Sequence, residues 1–212
     1  GSFGSVPFLT SDAVPLSLAD ALFESVSGLT TTGATVIAGL DDLPRSLLLY
    51  RQQLQWVGGI GIIVLAVAIL PMLGIGGMQL YRAESTGPAK DRKLTPKITG
   101  TAKALFGIYL GLTTLCAIAY WLAGMSLFDA ICHAFSTVAI GGFSTHDASM
   151  GFFQSELILL ICTFFMAASA INFGLHFIAL QRRSLEIYQR DSETRFFSSV
   201  IGIAIVITCL TL

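Results

Sequence analysis

Two short stretches hold residue types suited to gripping a bare cation: Thr30-Thr31-Thr32-Gly33-Ala34-Thr35 and Ala139-Ile140-Gly141-Gly142-Phe143-Ser144. Backbone carbonyls, helped by Thr hydroxyls, replace the water around a dehydrated cation when successive carbonyls point one way. Glycine permits that arrangement, because without a Cβ it takes positive φ freely. For either stretch alone, the competing reading is a buried Gly-containing turn between helices. Duplication favours the ion-binding reading. Each stretch follows a short apolar run, Ser17-Leu18-Ala19-Asp20-Ala21 in one case and Ser126-Leu127-Phe128-Asp129-Ala130 in the other. Laying Asp20 on Asp129 also superposes Ser17 on Ser126, Ser27 on Ser136 and Gly33 on Gly142 without a gap.

The runs leading into these turns are half-helices. From Leu16 to Val26 there are too few residues to cross a hydrocarbon core of ~30 Å, which takes about 20 in a helix. The chain is therefore expected to enter and turn back. Non-helical backbone survives at membrane depth only where protein buries it or a watery cavity solvates it. Asp20 and Asp129 near the half-helix starts read as caps, since a helix N-terminus favours a carboxylate. Glu24 and His133 fall at matching positions, either attracting cations at a pore mouth or anchoring the half-helix. Asn172 and His176, four apart, are expected to share a helix face and hydrogen-bond across helices.

Those half-helices need a membrane-spanning frame, and composition supplies one. Hydrophobic residues make up 54% of the chain and charged residues 12%, with a mean hydropathy of +0.76; soluble domains carry about 25% charge. This is an all-α integral membrane protein. A net charge of −1 indicates no nucleic acid or other polyanionic partner. Cys116, Cys132, Cys162 and Cys209 are scattered through apolar runs and read as small hydrophobes rather than metal ligands. No HExxH, no GxSxG and no paired carboxylates in a polar setting mark an enzyme.

Charge placement gives the organisation. Residues 1–81 form a first repeat lacking its opening helix, with a pore helix over about 16–28, a filter at 30–35 and an inner helix over about 46–81 bent at Pro71. Gly58-Gly59-Ile60-Gly61 on that helix reads as a flat packing surface. A basic loop follows at 82–103, then a second repeat over 104–181 with an outer helix at about 104–124, a pore helix at about 126–137, a filter at 139–144 and an inner helix at about 157–181. Residues 182–195 form another basic loop, and 196–212 begin another apolar span. Ten of the twelve Lys and Arg residues fall in the two loops, with only Arg45 and Arg51 on the other side. The positive-inside rule makes both loops cytoplasmic. Both turns then face outward, so the repeats are parallel, which suits a pore better than an inverted-repeat carrier.

Three stretches carry a family resemblance: Gln55-Trp56-Val57-Gly58-Gly59-Ile60-Gly61, Leu70-Pro71-Met72-Leu73-Gly74-Ile75-Gly76-Gly77-Met78, and Phe135-Ser136-Thr137-Val138-Ala139-Ile140-Gly141-Gly142-Phe143-Ser144-Thr145. They resemble TrkH, the membrane subunit of bacterial Trk potassium uptake, and the likeness covers nearly the whole chain; KtrB proteins resemble these stretches less closely. The resemblance implies a potassium-channel-like fold of four repeats around a central ion pore in the bacterial inner membrane. Carried over, Gly33 and Gly142 are filter glycines, with Thr31, Thr32, Ile140 and Gly141 supplying neighbouring carbonyls to the transported potassium ion and Thr30, Ala34, Ala139 and Phe143 flanking them. No covalently bound cofactor is implied. It further implies a homodimer and a nucleotide-binding cytosolic regulator, TrkA, for which Lys90, Arg92, Lys93, Arg182 and Arg183 are docking candidates; anionic membrane lipids are their other expected contact. The single-glycine filter without a tyrosine implies weaker discrimination between potassium and sodium than TVGYG gives. The rival reading is a secondary transporter coupled to sodium or protons, and a weaker one is a non-conducting assembly partner. Against the family's four repeats, only two filters are present, the first repeat lacks its opening helix and 196–212 resemble the start of a third, truncated, so the chain is expected to be a fragment of a longer protein.

Overall fold

Ser17 and Ser126 start their helices in the same way. Each Ser Oγ accepts the backbone N–H three residues on, from Asp20 at 3.2 Å and Asp129 at 3.1 Å, and donates to that aspartate's carboxylate at 2.7 Å. This satisfies one of the four free N–H groups at a helix start and sets a carboxylate on its positive end. The N-caps are thus Ser17 and Ser126, whereas Asp20 and Asp129, expected as the caps, lie in the first turn and bind the capping hydroxyls.

In the computed structural model, residues 2–11, 13–69 and 98–211 are described, and among them there is no strand. We number the helices α1 (Val6–Thr10), α2 (Leu18–Leu29), α3 (Arg45–Ile69), α4 (Ile98–Leu122), α5 (Leu127–Val138), α6 (Glu156–Ala170), α7 (Phe173–Arg182), α8 (Glu186–Arg190) and α9 (Ser192–Thr211). Helices α2 and α5 have 12 residues each, hence a length of about 18 Å, well short of a bilayer core of about 30 Å. Within α4, Ala102–Leu122 is long and apolar enough to cross a membrane. Leu115, Trp121 and Leu122 on α4 are exposed, as are Leu160 and Phe164 on α6. Water would penalise such an apolar exterior; lipid does not.

The chain divides into two units, Gly1–Ser169 and Ala170–Leu212. In the first, α3 packs against α2, α4 and α5. Its buried face runs through Arg51, Gln52, Leu54, Gln55, Gly58 and Gly59. A Cβ on Gly58 would collide with the Leu29 carbonyl oxygen at the end of α2, and one on Gly59 would press on the Tyr109 hydroxyl and on Ala139. The packing role expected for these two glycines is the one they have. Trp56 completes the seam, its Nε1 donating to Thr113 Oγ1 at 3.1 Å and its ring stacking on Phe135. Phe8, Ala21, Ile37, Leu40, Leu47, Leu48 and Leu54 form an apolar cluster beside the first turn. Cys116, Cys132 and Cys162 are buried.

The second unit holds α7, α8 and α9. The uncharged span expected as one inner helix over about 157–181 is divided: α6 ends at Ala170 and α7 starts at Phe173. Asn172 is the N-cap of α7, its side chain accepting from Gly174 N at 2.8 Å. It therefore does not share a helix face with His176, whose Nδ1 instead lies 2.8 Å from the Tyr188 hydroxyl. Pro71 and Gly74, Gly76 and Gly77, expected to bend the first inner helix, lie outside the described residues.

Candidate functional site

Both half-helices stop by the same backbone device. Thr31 N donates to Gly28 O at 3.0 Å and Thr32 N to Ser27 O at 2.9 Å; in the second repeat Ile140 N donates to Thr137 O at 3.1 Å and Gly141 N to Ser136 O at 2.8 Å. In a planar trans peptide the N–H and C=O point in opposite directions. With these N–H groups aimed back at the half-helices, the carbonyls of Thr30, Thr31, Ala139 and Ile140 are turned away from them. Thr31 (φ 55°) and Ile140 (φ 53°) lie in the left-handed region, as do Gly33 (φ 75°) and Gly142 (φ 83°). For β-branched residues that conformation is an outlier, costing on the order of 1–3 kcal/mol each. The sequence offered no sign of this strain, since it allotted positive φ to the glycines alone. Its recurrence at matched positions shows that the two turns share one backbone geometry.

The turns also meet. A Cβ on Gly33 would collide with the Gly141 carbonyl oxygen and stand 3.5 Å from Gly142 Cα. Thus Gly33 is brought against Gly141 and Gly142, with Thr31 and Thr32 preceding it in the first turn and Ile140 preceding them in the second. Of the flanking positions, Thr30 and Ala34 are exposed, whereas Ala139 and Phe143 are buried. Neutral oxygens are what this edge presents. Among the described residues no three His, Cys, Asp or Glu side chains gather to hold a metal ion.

Glu24 and His133 prove to be anchors. Glu24 Oε1 accepts from Thr35 Oγ1 at 2.7 Å and Oε2 from Val36 N at 3.1 Å. His133 Nε2 lies 2.9 Å from Ser144 Oγ, with Nδ1 2.9 Å from Asp129 O. Thr35 and Ser144 are themselves equivalent positions, and each hydroxyl accepts a backbone N–H two residues on, from Ile37 and His146, at 3.1 Å. Both anchors are fully buried, which fits the anchoring alternative and not an exposed cation-attracting mouth.

Arg51 and Gln55 are site residues that the sequence reading passed over. Arg51 is completely buried, pairs with Glu24 at 2.8 Å and also donates to Thr35 Oγ1 at 2.9 Å. Gln55 Oε1 accepts from Phe143 N at 3.1 Å. A signal was present: Glu24 in a half-helix and Arg51 at the edge of an uncharged span are opposite charges at membrane depth, where neither is stable alone. Outside the turns, Asp41 accepts from His146 Nδ1 at 2.5 Å and from Asp147 N at 3.3 Å, while Asp147 Oδ1 accepts from Gly39 N at 3.0 Å. The His146 hydrogen bond holds the Asp41 carboxyl below its ordinary range. These bonds join the outer connections of the two repeats. Arg182 and Arg183 are exposed in the second unit; Lys90, Arg92 and Lys93 lie outside the described residues.

Repeated half-helices that end in touching, carbonyl-bearing turns, set among apolar-faced helices, define a potassium-channel-like helical membrane protein. The chain belongs to the TrkH family, described as cation transport protein, which it matches over residues 3–212. The Trk system potassium uptake protein TrkH of Halomonas elongata is 60% identical over all of this chain and 44% of its own length, and that of Escherichia coli K12 is 58% identical over the same shares. The E. coli protein TrkG is 50% identical over 94% of this chain and 41% of its own. Among solved structures, the potassium transporter TrkH from Vibrio parahaemolyticus superposes with a TM-score of 0.86 at 55% identity, covering 97% of this chain and 41% of that one. The chain therefore spans less than half the length of these relatives.

Proposed function

We propose that this chain supplies two of the filter segments through which a bacterial inner-membrane protein takes up potassium. The observation that carries the reading is the meeting of the turns: Gly33 lies against the Gly141 carbonyl, with the carbonyls of Thr31 and Ile140 turned off their half-helices by matched hydrogen bonds. Carbonyls held this way cost little to reorganise when an ion sheds its water. Potassium itself is suggested by the names of the relatives. The basic loops, one with Arg182 and Arg183, which are exposed, the other with Lys90, Arg92 and Lys93 in the sequence, are each candidates to contact a TrkA-type nucleotide-binding regulator that gates the pore, or anionic lipid headgroups. The assembly is a homodimer of pore-bearing subunits.

Reversal potentials of the full-length protein in liposomes test this reading. With opposed potassium and sodium gradients, the current should reverse between the two equilibrium potentials, on the potassium side, and stay there when a proton gradient is added. A reversal that tracks a sodium or proton gradient through a fixed coupling ratio would replace the channel with a coupled transporter.

A further inference from the structure

The two turns are alike in backbone, and each is anchored by its own half-helix through Glu24 or His133, but the backbone after each glycine is held differently. The first is tied to its own half-helix: Ser27 Oγ donates to the Ala34 carbonyl at 2.6 Å, and Glu24 grips Thr35 and Val36. In the second, the matching Ser136 hydroxyl donates to His133 O at 3.1 Å, back along its own helix and not to the turn. The ties on the Phe143 and Ser144 backbone come from α3 of the other repeat. Gln55 Oε1 takes the Phe143 N–H, and four residues earlier Arg51 Nη1 donates to the Ser144 carbonyl at 3.3 Å. The Arg51 guanidinium lies 4.4 Å from the Phe143 ring centroid. One residue of the first repeat thus bridges both turns, because Nε of the same guanidinium binds Glu24 Oε1 at 2.9 Å and Nη2 binds Thr35 Oγ1 at 2.9 Å.

We infer that Arg51 and Gln55 are positioning residues that determine ion specificity by fixing the second filter segment from the first repeat; this rests on the filter reading above. The physical step is a peptide plane. Drawing the Phe143 N–H toward Gln55 turns the Gly142 carbonyl, in the same plane, to the opposite side. Packing does not hold that residue in place, since a Cβ at Gly142 would meet nothing within 4 Å among the described residues. Arg51 fastens the next carbonyl but one, at Ser144. A planar guanidinium can serve several acceptors in fixed directions, which an ammonium cannot. The plainer alternative is that Arg51 does no more than neutralise Glu24.

The full-length protein in liposomes separates the two. Arg51→Met alone would leave a buried carboxylate unpaired, so the informative variant is the double Glu24→Gln, Arg51→Met. There the amide introduced at position 24 keeps a carbonyl oxygen for Thr35 while giving up the Val36 N–H, and the net buried charge is unchanged. Arg51→Lys preserves the ion pair and loses the reach to Ser144, while Gln55→Met leaves Arg51 and Glu24 untouched. Membrane yield and monodispersity report folding; the potassium to sodium permeability ratio reports the filter. All three should assemble as the wild type does, with the ratio down about tenfold in the two Arg51 variants, the scale of one lost hydrogen bond to a charged group, and down about threefold to tenfold in Gln55→Met, where the lost bond is neutral. A wild-type ratio in the double variant, in Arg51→Lys or in Gln55→Met overturns the proposal, and so does failure of all three to assemble, which would make these folding residues. A wild-type protein with no potassium preference would be a different failure, removing the filter reading before any variant is compared.

Discussion

Gly33 and Gly142 occupy one position of the repeat, yet their surroundings differ enough to separate them. At both, the left-handed φ costs an added side chain roughly 1–2 kcal/mol. At Gly33 there is a second cost, because the new Cβ would collide with the Gly141 carbonyl oxygen, whereas at Gly142 it meets nothing within 4 Å. The expectation from sequence, that the two glycines are equivalent, holds for the backbone and fails for the contact. Gly33→Ala should therefore damage both filter segments at once and lower the potassium to sodium permeability ratio of the full-length protein by about tenfold or more. Gly142→Ala should lower it by clearly less. Equal losses, or a greater loss at Gly142, would show that the turns do not meet as described. The same reasoning explains why Thr31 and Ile140 tolerate positive φ: two successive backbone hydrogen bonds over-determine each turn, so the strain persists.

Between elements, the governing contact is α3 against the end of α2. Gly58 lets the helix backbone approach Leu29 so closely that a methyl group would strike its carbonyl oxygen, and backbone cannot move aside as a side chain can. Gly58→Ala should cost about 1–3 kcal/mol of overpacking. That should appear as a lower melting temperature and membrane yield of the full-length protein, with the permeability ratio of the assembled fraction nearly unchanged; a shifted ratio at normal yield would instead tie Gly58 to the filter. This packing role was legible in sequence, as were the half-helices, because short apolar runs and Gly-rich signals are local; the caps were placed on Asp20 and Asp129 and fall three residues earlier, on Ser17 and Ser126. Two features were not legible. The break between α6 and α7 interrupts a run that stays apolar throughout, and only Asn172 marks it, as a cap that resembles any other polar residue. The Arg51 network escaped because its partners Glu24 and Ser144 lie 27 and 93 residues away, and spacing along a chain says nothing about such meetings.

For the whole molecule, the decisive quantity is how much of an ion's shell these residues can provide. On the proposed reading two turns contribute the carbonyls of Thr31 and Ile140 and of their neighbours, and the edge bearing Thr30, Thr32, Ala34, Ile140 and Gly142 is exposed. Unpaired carbonyls facing hydrocarbon cost several kcal/mol each, so that edge needs more protein against it before it can hold an ion in a membrane. The relatives are long enough to supply it, since this chain spans 44% of the Halomonas and E. coli TrkH proteins. Residues 1–212 expressed alone should consequently fail to restore growth of a potassium-uptake-deficient bacterium at low potassium, while the full-length protein restores it. Immunodetection in the membrane fraction keeps the test fair, because an absent polypeptide would fail for the wrong reason. Growth rescue by the membrane-inserted polypeptide would mean that two copies close a ring across the exposed edge. Crosslinking between cysteines placed at Thr32 in one copy and Ile140 in the other would then capture that pairing directly.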